Sequence, residues 1–151
     1  MQKILETSFL IGERQIANRV VLQPMEGCDS EKDGSPSKLT WDKYIRAAKS
    51  GAGVIWLEAC AVTPEGRTNP RQLMLTEENL PEFRALVDDM RRVAKETAGV
   101  DVLLILQLTH SGRQSIRPMI AYRHPIYEER RPVTDENIVT DAYLETLPPI
   151  F

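Results

Sequence analysis

The stretch of sequence that decides the fold reads Val102-Leu103-Leu104-Ile105-Leu106-Gln107-Leu108-Thr109-His110-Ser111-Gly112-Arg113. Its first five residues, 102–106, are apolar, which predicts a short and fully buried strand. The amide of Gln107, the imidazole of His110 and the guanidinium of Arg113 follow directly. Because ligands of parallel α/β proteins bind at the carboxyl ends of strands, these groups predict a site for a flat, polar and partly anionic ligand.

Composition indicates one soluble globular unit of 151 residues, of which 42% are hydrophobic and 27% charged. A net charge of −3 gives no sign of binding to nucleic acid or to a membrane surface. No apolar run approaches the roughly 20 residues that span a bilayer. The two cysteines, Cys28 and Cys60, predict free thiols in a reducing, cytoplasmic setting. His110 and His124 lack metal-ligand spacing to either cysteine, so no metal site is predicted.

Hydrophobic periodicity predicts alternating strands and helices after an N-terminal hairpin. In chain order, the predicted elements are a hairpin of Phe9–Ile11 and Arg14–Ile16, a strand at 19–23 with 20–22 buried, a helix at 41–50, a strand at 54–57, a helix at 80–97, a strand at 102–106 and a short helix at 141–147. This order predicts a parallel sheet, and both a doubly wound sheet and a (β/α)8 barrel fit it.

Capping residues set the expected limits of the two long helices. Thr40 is predicted to be the N-cap of the first. Asn79 and Glu82 have the spacing of a capping box at the start of the second, and Gly99 is predicted to end it.

Unusual residues lie where each of the three strands ends, at 23–26, 58–60 and 107–113. Strand ends are often polar simply because they meet loops. Three such ends in succession, on the side where active sites of parallel sheets occur, instead favour a functional site.

Three segments resemble the old yellow enzyme family of FMN-dependent oxidoreductases, and they cover most of residues 5–115. They are Asn18-Arg19-Val20-Val21-Leu22-Gln23-Pro24-Met25, then Gly51-Ala52-Gly53-Val54-Ile55-Trp56-Leu57-Glu58-Ala59 with the continuation Val62-Thr63-Pro64-Glu65-Gly66-Arg67, and finally Leu106 to Arg113. The third segment is similar to the branch that contains bacterial ene-reductases and 2,4-dienoyl-CoA reductases.

The resemblance implies the N-terminal portion of a (β/α)8 barrel that holds FMN over its C-terminal face. Backbone at Pro24 and Met25 would lie beside the isoalloxazine ring, Ala59 would give the ring room, and the Gln107 amide would bind its pyrimidine edge. Arg113 would touch flavin or substrate, or pair with a carboxylate at the barrel rim. The implied reaction moves hydride from NAD(P)H through FMN to an activated alkene of the enone, enoate or dienoyl type.

Glu26 departs from the family pattern, which commonly has Thr or Cys after Pro-Met. An ionised carboxylate near the flavin would repel the reduced, anionic ring and lower its potential, unless it is protonated or turned away. Glu26 is kept among the predicted cofactor residues, and Cys28 is predicted to face the substrate.

Length limits what this chain can do by itself, because a (β/α)8 barrel typically needs about 250 residues. We expect 1–151 to be the N-terminal part of one FMN-binding barrel domain, with 114–151 as an excursion after the third strand. The remaining strands would lie on another polypeptide or on a missing part of the same gene product, with a homo-oligomer as a further arrangement. The isolated chain is expected to be inactive. The alternatives are a non-catalytic scaffold or assembly subunit of the same fold, and an unrelated α/β enzyme that binds a phosphorylated metabolite.

Overall fold

The computed structural model describes residues 2–130 and 132–151. In chain order its elements are α1 (Gln2–Leu5), β1 (Phe9–Ile11), β2 (Arg14–Ile16), β3 (Val21–Leu22), α2 (Lys38–Lys49), β4 (Val54–Ala61), α3 (Leu80–Ala98), β5 (Leu103–Thr109), α4 (Pro125–Arg130) and α5 (Asp141–Thr146), with single 3-10 turns at Gly112–Gln114, Asp135–Asn137 and Pro148–Ile150. Within the described residues, none of these helices is long and apolar enough to cross a membrane.

Two sheets are present, and both follow the sequence pattern. Strands β1 and β2 form the predicted antiparallel hairpin. Strands β3, β4 and β5 form a parallel sheet in that order, because α2 and α3 each cross over between consecutive strands. Consecutive strands therefore bring their carboxyl ends to the same edge of the sheet.

The core lies between one face of the parallel sheet and the two long helices. Apolar side chains repeat along α2 and α3 with helical period, and they meet those of β4 and β5 that point the same way. The buried members of this cluster are Tyr44, Ala48, Ala52, Ile55, Leu57, Leu86, Met90, Val93, Ala94, Val100 and Val102.

The opposite face of the sheet is open, which corrects two burial predictions. Every residue of β5 is only half-buried, although the 102–106 run predicted a fully buried strand. Val20 and Val21 are exposed and Leu22 is half-buried, although 20–22 were predicted to be buried. Trp56 of the central strand lies on this open face and keeps 39% of its surface exposed. Apolar runs predict burial on both faces, and the described chain covers only one.

The strands also differ in length from the apolar runs that predicted them. The first is reduced to Val21–Leu22, whereas β4 continues past residue 57 to Ala61 and β5 continues to Thr109. Backbone pairing does not depend on side-chain polarity, so the ladder runs on through Glu58 and Gln107. Both residues therefore lie within strands rather than after them.

The helix limits correct the two N-terminal predictions and confirm one C-terminal prediction. Ser37, not Thr40, is the N-cap of α2, because its hydroxyl oxygen accepts from the amides of Leu39 and Thr40. Asn79 precedes α3 without a side-chain cap, since its amide oxygen instead accepts from the backbone of the preceding loop. Gly99 ends α3 in the left-handed conformation, with φ of 69°, as predicted.

The segment 114–151 is partly helical rather than only extended. The helix expected at 141–147 is present as α5, and a second short helix, α4, precedes it. The backbone amide of Tyr143 donates a hydrogen bond to the Thr140 hydroxyl oxygen, which caps α5.

Replacing Ser37 by alanine removes the cap of α2 and leaves two amides without that acceptor. We expect the free energy of unfolding to fall by about 1–2 kcal/mol, measured by urea unfolding of the intact protein. Lys38→Ala is the control, because the neighbouring lysine side chain is 85% exposed and pairs only with Asp42. An equal loss in both variants would contradict the assignment of Ser37 as the cap.

Candidate functional site

Ala59 and Gln107 form the centre of the candidate site. They are partners across the β4–β5 ladder, so they lie side by side on adjacent strands. Leu104 and Leu106 pack toward the helices. Because side chains alternate along a strand, Gln107 points to the opposite, open face of the sheet.

The amide of Gln107 has unused hydrogen-bonding capacity. It is half-buried and makes no hydrogen bond to any of the residues that the structure describes. A primary amide both donates and accepts, and a buried polar group is normally satisfied. This amide therefore suits a ligand edge that alternates acceptors with an N–H group.

A β-bulge at Glu58 produces this arrangement. Leu57 pairs with Leu106 and Ala59 pairs with Gln107, so β4 has one more residue than β5 between these pairs. The additional residue, Glu58, points to α2, where its carboxylate meets Lys43. Without the bulge, the alternation would turn Ala59 away from the face that Gln107 occupies.

The segment after β3 lies beside the same edge. Pro24 is half-buried, and Met25 is 75% exposed. Cys28 adopts a left-handed conformation with φ of 49°, and its Sγ accepts a hydrogen bond from the Asn69 amide. These residues form a turn over the end of β3, with its side chains directed to different surroundings.

Gln72 connects Glu26 to β4, the central strand of the parallel sheet. Its Nε2 donates to Glu26 Oε1 at 3.3 Å and to the carbonyl oxygen of Ala59 at 3.2 Å. Partial burial and the negative charge of Glu58 raise the pKa of Glu26 above its ordinary value of 4.5. The surroundings of Glu26 therefore shift its titration toward the neutral carboxyl, the direction that would make an acid here more compatible with a reduced flavin.

Arg113 contacts the excursion. Its guanidinium lies 3.3 Å from the Glu128 carboxylate and 5.7 Å from the centroid of the Tyr127 ring. The pairing with a carboxylate is present, and a contact of Arg113 with flavin or substrate stays a prediction.

A hydrogen-bonded chain joins the end of β5 to α5. The amide of Gly112 donates to His110 Nδ1 at 3.1 Å, so the proton of the neutral ring is on Nε2 and donates to the Tyr143 hydroxyl at 2.9 Å. That hydroxyl donates to Glu65 Oε1 at 2.8 Å. Burial and the neighbouring Glu65 raise the pKa of Tyr143 to about 12. These hydrogen bonds hold the excursion against the end of β5 and the loop that carries Glu65.

The sequence predicts the strand-end residues of the site, but it does not predict the side chains that hold them in place. The structure brings together Ala59 and Gln107, and it links Glu26 to them through Gln72. Lys43 and Gln72 lie far along the chain in a helix and a loop, with no local pattern to mark them. Glu58 carried a signal, because a carboxylate inside an apolar strand needs a partner.

Sequence comparison places the chain among flavin oxidoreductases. Residues 7–132 match the sequence profile of the NADH:flavin oxidoreductase / NADH oxidase family. An NADPH dehydrogenase of Bacillus pumilus is 32% identical over 102 residues, which cover 66% of this chain and 28% of that protein. An NADPH dehydrogenase of Listeria welshimeri is 30% identical over 130 residues, covering 83% and 36%. The chain thus spans about a third of the length of the curated relatives that it matches.

Solved structures show the same fold. The old yellow enzyme from Trypanosoma cruzi superposes with a TM-score of 0.61 at 25% identity, covering 76% of this chain and 29% of that one. A 2-naphthoyl-CoA reductase complex gives a TM-score of 0.66 at 20% identity, which shows the fold alone. These likenesses confirm the predicted fold class, the N-terminal portion of a (β/α)8 barrel.

The raised pKa of Glu26 leads to a prediction about stability and pH. The folded state binds this proton more tightly than the unfolded chain, so the stabilising contribution is present at low pH and is lost as pH rises through the raised pKa. Glu26→Gln removes this loss while it keeps an oxygen for Gln72. We expect the variant to have a higher Tm than the parent at neutral pH, with a difference that shrinks toward about pH 4.

Thermal unfolding over that pH range measures the effect. Glu13→Gln, in the exposed turn of the hairpin, controls for the loss of one negative charge. The same pH-dependent difference in both variants would show that it does not come from the surroundings of Glu26.

Proposed function

The chain belongs to the NADH:flavin oxidoreductase / NADH oxidase family, and we propose that it forms one wall of an FMN site in an enzyme that reduces activated alkenes. FMN is the cofactor of the family, and NAD(P)H is its electron donor. The observation that carries the proposal is the unpaired amide of Gln107 beside the small side chain of Ala59.

The residues present fit this cofactor. The Gln107 amide can donate to and accept from the pyrimidine edge of the isoalloxazine ring. At Ala59 only a methyl group projects from the neighbouring strand, so a flat ring can lie close to the sheet. Pro24 and Met25 would border the ring on the side of β3.

When bound, FMN supplies the hydride chemistry, and the chain supplies orientation and electrostatics. Gln107 fixes the in-plane position of the ring, and Ala59 excludes bulk from its face. With a proton on Oε2, Glu26 would present a neutral hydrogen-bonding group where the family commonly has Thr or Cys. Cys28, on the same turn, is the proposed substrate-facing residue. Arg113 acts at the rim through Glu128.

The rest of the barrel is part of the proposal. Both outer strands of the parallel sheet, β3 and β5, are edges, and the face that carries Trp56 is open. We propose that further barrel strands cover them, either from the same gene product or from another polypeptide, and that they carry the groups that bind the substrate carbonyl. The 151-residue chain alone would then bind FMN weakly and turn over no alkene. The two free thiols support a reducing compartment such as the cytoplasm.

One observation favours a second candidate, a non-catalytic subunit of the same fold. An ionised carboxylate at position 26 would repel the anionic reduced flavin. The hydrogen bond between Glu26 and Gln72 agrees with a purely structural role of Glu26. The two candidates differ in whether flavin is present.

The visible absorption spectrum of the intact protein separates them, together with the masses of its chains under denaturing conditions. We expect a flavin spectrum and either a longer chain or an accompanying polypeptide. A protein that has its full complement of barrel strands but takes up no FMN would contradict the enzyme and favour the subunit.

Gln107→Leu tests the residue on which the proposal depends. The loss of its hydrogen bonds to the ring is expected to raise the dissociation constant of FMN about tenfold or more, which corresponds to about 1.4 kcal/mol or more. Fluorescence titration of the apoprotein with FMN measures this. Gln15→Leu, the same exchange on exposed β2, is the control. An unchanged affinity of Gln107→Leu for FMN would show that Gln107 does not bind the ring.

A further inference from the structure

Glu58 is the only buried carboxylate among the residues that the structure describes. Acidic side chains are almost never fully buried unless they are paired, because burial removes the hydration of the charge. One carboxylate oxygen, Oε1, meets α2, where it accepts from Lys43 Nζ and, at 3.0 Å, from the Tyr44 hydroxyl. These contacts by themselves would tie the helix to the sheet.

The second oxygen has a different partner. Glu58 Oε2 accepts a hydrogen bond of 2.7 Å from the backbone amide of Gly27, in the turn after β3. A carboxylate that served only to hold α2 would not need this contact. Through it, a buried group on β4 fixes the backbone between Glu26 and Cys28, two of the residues predicted for the site.

Gly27 packs closely against the ion pair of Lys43 and Glu58. A Cβ atom added at this position would collide with Lys43 Nζ and would lie 2.5 Å from Asp29 Oδ2. Lys43 also lies 3.3 Å from Asp29, so one ammonium group pairs with both carboxylates. The absence of a side chain allows the turn to come close enough for the Gly27 amide to reach Glu58.

We propose that Glu58 is a positioning residue for the cofactor site, which acts by holding the Gly27 amide and thereby the turn that carries Glu26. Lys43 pairs with the carboxylate and holds it in place. The same bulge that turns Glu58 toward the turn also places Ala59 beside Gln107. This inference rests on the proposed function, because the turn matters only where a flavin lies against it.

Two double variants of the intact protein differ in whether the side chain of residue 58 can accept the Gly27 amide and contact the Tyr44 hydroxyl. Glu58→Leu/Lys43→Met removes the acceptor and both charges, since replacing both partners of a buried pair by apolar groups is tolerated far better than removing one. Glu58→Gln/Lys43→Met removes the same charges but keeps an oxygen for Gly27, and its NH2 group can donate to Tyr44. Val93→Ala, buried on α3 away from the site, controls for a general loss of stability.

Two readouts are needed, and neither is activity. Hydrogen exchange of the unliganded protein reports on the Gly27 amide, which we expect to exchange about tenfold or more faster in the leucine variant than in the glutamine variant. Titration with FMN is expected to give a dissociation constant about tenfold higher in the leucine variant, with the glutamine variant and Val93→Ala both within about threefold of the parent.

The outcomes separate this inference from the proposed function. Equal exchange of the Gly27 amide in the two double variants would overturn the role of Glu58, whether or not flavin binds. Equal FMN affinity in the two would overturn it as well, and so would an affinity loss in Val93→Ala as large as in the leucine variant. A parent protein whose Gly27 amide is protected by Glu58 but which takes up no FMN would instead overturn the proposed function.

Discussion

The parallel pairing of β4 with β5, interrupted by one additional residue, is the constraint on which the rest of the structure depends. A regular ladder would place alternate residues of β4 on alternate faces along its whole length. The bulge at Glu58 changes this phase once, so that an apolar half of the strand packs on the helices and the residue after the bulge faces the candidate site. Core and site can therefore share one strand.

The parallel sheet is packed on one face only. Helices α2 and α3 cover one side of the sheet with a continuous apolar cluster. The other side keeps Trp56 and the outward-facing half of β5 partly exposed. A barrel has no such side, because its inward-facing residues fill a closed interior. The likeness to about 30% of a solved barrel agrees with this picture.

Sequence alone predicted the order of the main elements, the two long helices to within a few residues and the site-bearing strands, because these follow from local periodicity and from turn residues such as Gly99. It did not predict the short helices α1 and α4. It failed where a distant contact decides. Thr40 satisfies the local pattern of a cap, yet its hydroxyl donates to Asp29, and Ser37 takes the cap. Likewise, the acceptor at residue 58 is separated from the amide of Gly27 by an entire helix. Such contacts depend on the topology of the sheet.

The two uncovered edges also restrict how this chain can associate with itself. The sheet is parallel and its edges are different strands, β3 on one side and β5 on the other. A copy that continues the ladder in parallel must therefore join its β3 to the β5 of its neighbour, which is a head-to-tail contact. Such contacts produce rings if the rotation closes and open filaments if it does not.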